Sequence, residues 1–271
     1  MAFVQSYKSC FDLTGKVAFV TGAGGILGRH FAAGLAAHGA SVALVDLDPQ
    51  AAAEAAENLS DRSVAYGCDI TDRLALRAVV DRVEAELGPI DILHNNAATK
   101  GNDLAAFFAP VEHYEPSTWR NVMAVNLDAM FFVAQEIGRR MLARRKGSII
   151  QTASIYGVLG PDQRIYEGSE YMGLPINTPP VYAASKAGVV GLTKYLATMW
   201  APSNVRVNAL VPGGVESGQN ESFKENYSRR VPLGRMASPE EMVGPLVFLA
   251  SDASSYVTGQ SLMVDGGLGA W

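Results

Sequence analysis

Short apolar runs alternate with longer amphipathic ones along almost the whole chain. Residues 17–20, 41–45, 63–67, 90–94, 148–152, 205–211 and 260–264 read as strands. The first, Val17-Ala18-Phe19-Val20, is the continuous apolar kind that a parallel sheet buries on both faces. Between the strands, apolar residues recur at three- and four-residue steps, which predicts helices over about 26–38, 51–59, 72–87, 116–145, 181–199 and 239–250. Residues 1–15 read as a short leader. Regular β/α alternation predicts an α/β fold: a doubly wound, mostly parallel sheet of about seven strands with helices on both faces. No linker, repeat or low-complexity tract interrupts it, so 1–271 reads as one domain.

In such a sheet ligands bind outside the carboxyl ends of the strands. The chemistry-bearing residues collect there. The first strand runs into Thr21-Gly22-Ala23-Gly24-Gly25-Ile26-Leu27-Gly28 and then a helix. Glycines in that context let backbone N–H groups approach a pyrophosphate, and the helix N-terminus favours its charge. The second strand ends in Asp46, eighteen residues after Gly28. A carboxylate there can accept both hydroxyls of an adenosine ribose and repel a 2′-phosphate, which favours NAD over NADP. Asp46 and Asp48 also suit capping of the helix after Pro49, and the two roles are compatible. Asp69, Asn96, Ser154 and Pro212 end further strands.

Tyr182 and Lys186 lie four residues apart on a predicted helix and so share one face. A phenol titrates near pH ~10, and acid–base work near neutrality asks for a fall of roughly 2–3 units, or about 3–4 kcal/mol. The Lys186 ammonium and an oxidised nicotinamide ring are expected to supply it. The plain alternative is a surface tyrosine beside a solvated lysine.

Composition narrows the field. The chain has 271 residues, 48% of them apolar, and a net charge of −5, which argues against a phosphate-backbone partner such as nucleic acid. The basic cluster Arg139-Arg140 with Arg144-Arg145-Lys146 falls at a helix C-terminus, where cations oppose the macrodipole. Cys10 and Cys68 lack metal-ligand spacing, so no metal is expected. No apolar run is long enough to span a membrane, and residues 1–5 carry no signal-peptide pattern, so the expected location is cytoplasmic.

Taken together, these landmarks resemble the short-chain dehydrogenase/reductase family in its single-domain form, over nearly the whole chain from Lys16 to Gly267. They are Thr21 to Gly28, Asp69, Asn95-Asn96-Ala97, Asn126, Ser154, Tyr182/Lys186, Pro212-Gly213 and Tyr256-Val257-Thr258-Gly259-Gln260. The resemblance implies hydride transfer between nicotinamide and a carbonyl or alcohol carbon. It also implies a tetrad. Tyr182 passes a proton to or from the substrate oxygen and Ser154 hydrogen-bonds that oxygen. Lys186 holds the nicotinamide ribose and lowers the Tyr182 pKa. Asn126 positions a water beside Lys186. The implied cofactor shell is Gly22, Gly24, Gly25, Ile26, Leu27 and Gly28; Asp46 and Leu47; Asp69 and Ile70; Asn96, Ala97 and Ala98; Tyr182 and Lys186; and Pro212, Gly213, Val215 and Ser217. Three positions depart from the family pattern. Ile26 stands where the middle glycine is usual, Ala98 replaces a glycine, and Ser217 replaces a threonine but keeps its hydroxyl.

Ser154 precedes Tyr182 by 28 residues, about twice the family's usual gap. The extra stretch, 159–180, is expected to line the substrate pocket. Its Gln163, Arg164 and Tyr166, with Tyr156, Ser154 and Tyr182, form a donor-rich wall suited to a polyhydroxylated substrate. Arg164 is expected to grip an anionic group. The alternative pairs Arg164 with Glu167 or Glu170 and leaves the loop for subunit contact. Residues 216–235, including Gln219 and Asn220, are expected to form a polar lid. The wording from Ser154 through Glu216 also resembles a branch of sugar-metabolism oxidoreductases that includes flagellin-modification and legionaminic-acid pathway enzymes. The reading is an NAD-dependent oxidoreductase acting on a sugar, sugar acid or sugar phosphate, with a homotetramer (or dimer) implied by the family. Its competitors are an NADP-linked 3-oxoacyl or other ketone reductase and a non-catalytic dinucleotide sensor.

Overall fold

A computed structural model of the chain describes residues 9–57, 59 and 62–271. Most of the expected leader lies outside the described residues. In chain order the first half comprises β1 (Val17–Thr21), α1 (Ile26–Ala37), β2 (Ser41–Asp46), α2 (Pro49–Ala56), β3 (Ser63–Gly67), α3 (Arg73–Leu87) and β4 (Ile90–Asn95). A short α4 (Leu104–Phe107) and α5 (Pro116–Met123) follow, then a π-helical segment (Ala124–Ala129), α6 (Met130–Arg144) and β5 (Gly147–Thr152). A small hairpin, β6 (Glu170–Tyr171) and β7 (Leu174–Pro175), precedes α7 (Pro180–Trp200) and β8 (Val205–Pro212). The chain closes with α8 (Glu221–Ser228), α9 (Val243–Ala250) and β9 (Ser261–Val264).

Seven strands form one parallel sheet in the order β3-β2-β1-β4-β5-β8-β9. The order reverses between β1 and β4, so the crevice for a ligand opens at Thr21-Gly22 and Asn95-Asn96. Strand side chains alternate between two cores. Phe19 and Val45 join Ile137, Met141 and Leu196 on one face. Val20 and Leu44 join Phe31, Leu35 and Leu246 on the other. A third cluster, with Met130, Ile155, Ile165, Phe223 and Tyr227, lies beyond the strand ends and forms the floor of the region between β5 and α8.

Local signals account for the element boundaries. Asp48 caps α2 through the N–H groups of Gln50 and Ala51, with Pro49 at the first helical position. That cap starts the helix two residues before the expected boundary, and it ends at Ala56 rather than Leu59. Asp72 caps α3 and Asn220 caps α8 in the same way. The single helix expected over 116–145 contains the π turn at 124–129, and Asn126 sits inside it, fully buried. The helix expected over 239–250 begins as a 3-10 turn at Pro239–Met242, held by a Ser238/Glu241 capping box.

Candidate active site

The turn after β1 is shaped by two close approaches. Gly22 has φ +65°, and a Cβ there would lie 2.8 Å from Ala97 Cα, so the β1 and β4 ends can meet only at glycine. At Gly28 a Cβ would lie 2.0 Å from the Gly22 carbonyl oxygen, so α1 can start against its own turn. Thr21 ties the two strand ends together: its Oγ1 accepts from Asn96 N at 2.9 Å and Ala97 N at 3.1 Å. Asp46 supports the turn from the side. Its Oδ2 accepts from Gly24 N at 2.9 Å and its Oδ1 from Asp48 N at 3.1 Å.

A cavity of 540 Å³ lies over this turn. Gly22, Gly24, Gly25, Ile26, Leu27 and Gly28 form one side, and Asp46 and Leu47 one end. Asp69 and Ile70, with Asn96, Ala97 and Ala98, form the rest of the expected wall. Thirteen of the residues expected to hold a dinucleotide thus meet in one cleft. The turn also fits phosphate chemically. No side chain caps α1, whose N-cap is Gly25, so its first-turn N–H groups are left for a ligand. Ile26 is accommodated because it begins α1 with half of its surface exposed. Cys68, Thr99 and Val125 also line the cleft, though nothing in their spacing marks them. Burial, then the neighbouring Asp69 and Asp72, push the Cys68 thiol up to about 11, which leaves it unreactive.

A second cavity, of 420 Å³, adjoins the first, and Ile26, Ala98 and Thr99 belong to both. Ser154 and Tyr182 face into it, as do Gly213, Val215 and Ser217 from the β8 end. Ser154 follows β5 in extended backbone, and its Oγ accepts from Tyr156 N at 3.2 Å. Its hydroxyl is close enough to the Tyr182 phenol to favour the ionised form of that phenol. Tyr156, Tyr166 and Thr178 line the same space. Tyr166 shares a 2.7 Å hydrogen bond with Thr178 Oγ1, and its phenol lies near that of Tyr156. Burial raises the pKa of both phenols, so each remains a neutral donor and acceptor.

Lys186 lies one helical turn below Tyr182 on α7 and is 2% exposed. Its Nζ donates to Thr152 O at 2.8 Å and stands 5.9 Å from the centroid of the Tyr182 ring. The sharing of one helix face is as expected, but the electrostatics differ. Burial pushes the Tyr182 phenol above its ordinary value, outweighing the Ser154 hydrogen bond, and the nearby Tyr166 adds to the rise. Burial also pulls Lys186 down to about 8. Desolvation is the largest effect on the Tyr182 phenol, and it opposes the fall expected from Lys186. Asn126 is engaged elsewhere. Its Oδ1 accepts from Thr99 N at 2.7 Å and its Nδ2 donates to Thr99 O at 3.3 Å, which fixes the 98–103 loop.

The 159–180 segment reaches the cavity through different residues from those expected. Arg164 is captured by Asp162, with Nε and Nη2 both at 2.8 Å from the carboxylate, and its side chain is 80% exposed. It is absent from the cavity wall, as are Gln163 and Asn220. Gln163 instead pairs twice with Thr178, and Asn220 caps α8 through Phe223 N. Gln219 does reach the cavity while bonded to Val215 O and Ser217 Oγ. The wall also holds residues the sequence did not single out: Lys100, Phe107, Phe108, Asn177 and Phe223. The segment is joined to α8 by an Asp162–Arg230 ion pair and by Asn226 Nδ2, which donates to Glu167 O at 3.2 Å. Among the described residues no helix is long and apolar enough to cross a membrane.

The chain is similar to known proteins over nearly its whole length. A family model described as Enoyl-(Acyl carrier protein) reductase matches residues 22–269. The chain is 38% identical to a 2-dehydro-3-deoxy-D-gluconate 5-dehydrogenase of Pseudoalteromonas atlantica, covering 95% of this chain and 97% of the relative. Among solved structures it resembles a gluconate 5-dehydrogenase from Burkholderia cenocepacia in complex with NADP and tartrate. That match has a TM-score of 0.84 at 35% identity and covers 97% of this chain and 98% of the other. It also resembles a short chain dehydrogenase from Leptospira borgpetersenii with bound NAD+, at a TM-score of 0.81 and 35% identity, over 95% of this chain and 94% of the other.

Proposed function

Since the chain belongs to the short-chain dehydrogenase/reductase family, we propose that it is an NAD-dependent oxidoreductase interconverting a secondary alcohol and a ketone on a sugar, sugar acid or sugar phosphate. One observation carries this reading. The Ser154 and Tyr182 hydroxyls face a cavity that also holds the Tyr156, Tyr166 and Thr178 hydroxyls and adjoins the cleft over the glycine turn.

When bound, the nicotinamide cofactor supplies or accepts the hydride. The residues of the chain hold the substrate and move the proton. Ser154 and Tyr182 would both bond the reacting oxygen, stabilising the negative charge that builds on it as C–H bonding changes. In reduction Tyr182 Oη gives its proton to that oxygen; in oxidation it takes one. A phenol kept protonated by burial suits the donor role at neutral pH. Lys186 would bond the nicotinamide ribose, and Asn126, from its π turn, would align a water beside it. Residues 216–235 would act as a lid, excluding water from the transfer.

Asp46 supports NAD. Its carboxylate is held by two backbone donors at the end of β2, where a 2′-phosphate would meet a fixed negative charge. A homotetramer or dimer is supported by an exposed strip on α7 that includes Tyr195 and Met199. A second reading, an NADP-linked 3-oxoacyl reductase, draws support from Phe107, Phe108 and Phe223 on the cavity wall.

A panel of sugars, alditols, aldonates, sugar phosphates and one 3-oxoacyl thioester, each with NAD(H) and NADP(H), separates the readings by absorbance of the reduced nicotinamide. Turnover of a polyhydroxylated compound with NAD is expected. Turnover confined to the thioester with NADPH would overturn the proposal.

A further inference from the structure

Among the side chains lining the substrate cavity, one carries a formal charge at neutral pH. Among the described residues no Asp, Glu or Arg contributes to the wall; Lys100 does. It sits in the loop between β4 and α4. That loop is held at Thr99 by both ends of the Asn126 amide, so the backbone under Lys100 is fixed from a buried position. The ammonium stands 4.2 Å from the centroid of the Tyr171 ring, over a residue of the β6–β7 hairpin. Among the described residues it is paired with no carboxylate. The nearest acid in sequence, Asp103, is committed to capping α4 through Ala106 N at 3.0 Å.

A cation over an aromatic face is held in place without being neutralised. Here the remaining wall consists of hydroxyls, amides, aromatic rings and aliphatic side chains such as Ile155, Ile176 and Met236, so Lys100 is the charged group on the wall itself, while the Lys186 ammonium and the Asp265 carboxylate act from behind Tyr182 and Tyr227. The opposite demand falls on the ligand. A neutral polyol would leave the charge unanswered, whereas an anionic end group would meet it and be turned by it. Tyr171 and Lys100 come from two separate segments, and Asn177 Nδ2 donating to Phe108 O at 2.6 Å pins one to the other. The pairing of ring and ammonium therefore belongs to the built cavity wall.

We propose that Lys100 anchors an anionic end group of the substrate, a carboxylate or a phosphate, and so selects charged polyols over neutral ones. This rests on the reading that Tyr182 marks the reacting end of the cavity. Lys100 stands on a separate segment of the same wall, which the Tyr156, Tyr166 and Thr178 hydroxyls also line.

The test compares D-gluconate, D-glucitol 6-phosphate and D-glucitol, which share secondary alcohols and differ in end group. Each is assayed with NAD on the wild-type protein, Lys100→Met and Lys100→Arg. A charge-assisted hydrogen bond is worth about tenfold or more in affinity, and the exposed position of Lys100 sets its value at the low end. Lys100→Met should therefore lower kcat/KM by about tenfold or more for whichever anion is used, chiefly through KM. Glucitol should change by less than about twofold, and Lys100→Arg should restore most of the loss. Added salt should raise KM for the anion and not for glucitol. The preferred anion, gluconate or the phosphate, identifies the end group. In parallel, calorimetry follows gluconate and glucitol 6-phosphate binding to the NADH-loaded protein, which needs no turnover. Lys100-dependent binding without turnover would keep the anchor and remove the assigned reaction. Turnover with equal losses for charged and neutral polyols would keep the reaction and overturn the anchor. Neither binding nor turnover of either anion would overturn both.

Discussion

Replacing Lys186 by methionine should abolish activity and stabilise the fold. The side chain is 2% exposed, and burial pulls its pKa from 10.5 to about 8. Each unit is worth about 1.4 kcal/mol, so keeping this ammonium protonated at neutral pH costs the fold about 3 kcal/mol. Methionine is similar in length and apolar, and fits the space with little strain. It forfeits the 2.8 Å bond from a charged donor to the buried Thr152 O, a loss of about 2 kcal/mol. The net gain is about 1 kcal/mol, or roughly 3 °C in Tm for a domain of this size. The pH dependence carries the same information. The folded pKa lies below the unfolded one, so the unfolded chain binds more protons between about pH 8 and 10.5, and wild-type stability rises across that window. Below pH 8 the penalty is present in full. Urea unfolding of both proteins at several pH values from 7 to 10.5 reads the effect directly. The variant should start higher at pH 7 and lack the rise. A variant less stable than wild type at pH 7, or one showing the same rise, would refute this view of Lys186 as an ion held against its own solvation.

Two further outcomes are expected. Asp46→Asn removes the charge while keeping the side-chain shape, and should shift the ratio of NADP to NAD affinity by at least about tenfold toward NADP. Titration of each dinucleotide by nucleotide fluorescence tests this, and an unchanged ratio would remove Asp46 as the discriminator. The second concerns His94, fully buried with Nε2 2.8 Å from Thr152 Oγ1. Burial pulls its ring from 6.5 to about 3, so the stability it supports is complete above pH 6.5 and is lost progressively as pH falls toward 3. The full loss approaches about 4–5 kcal/mol. His94→Gln should flatten the decline in unfolding free energy between pH 6.5 and 4; parallel declines would clear His94 as the source.

The sheet was readable from the chain because each strand is short, apolar and followed by a polar turn, and the cofactor cleft followed from where those turns fall. Gly22, Asp46, Asp69 and Asn96 are far apart in sequence, yet parallel strands bring their carboxyl ends to one edge. The substrate side was less readable. Arg164 looked like an anion grip, but Asp162, two residues earlier, captures it locally, and local pairing is invisible to a composition argument. Lys100 carried no signal, because its position depends on the β6–β7 hairpin bringing Tyr171 beneath it. The surroundings of Tyr182 were only half readable for a related reason. Helical spacing places Lys186 on the same face, but burial of both groups, a property of the folded surroundings, outweighs their separation. The π turn at Asn126 also left no periodicity mark, since one widened turn does not interrupt the apolar face.

Tyr182 is the residue on which the proposed chemistry turns, and its phenol oxygen is the one atom that Tyr182→Phe removes. The direct measurement is single-turnover reduction of a ketose acid by NADH in wild type and Tyr182→Phe, with the NADH dissociation constant measured alongside. A loss of about a thousandfold or more in the hydride-transfer rate, with NADH affinity within about threefold, is the expected result. A rate within tenfold of wild type would contradict the assignment of Tyr182 as the proton donor.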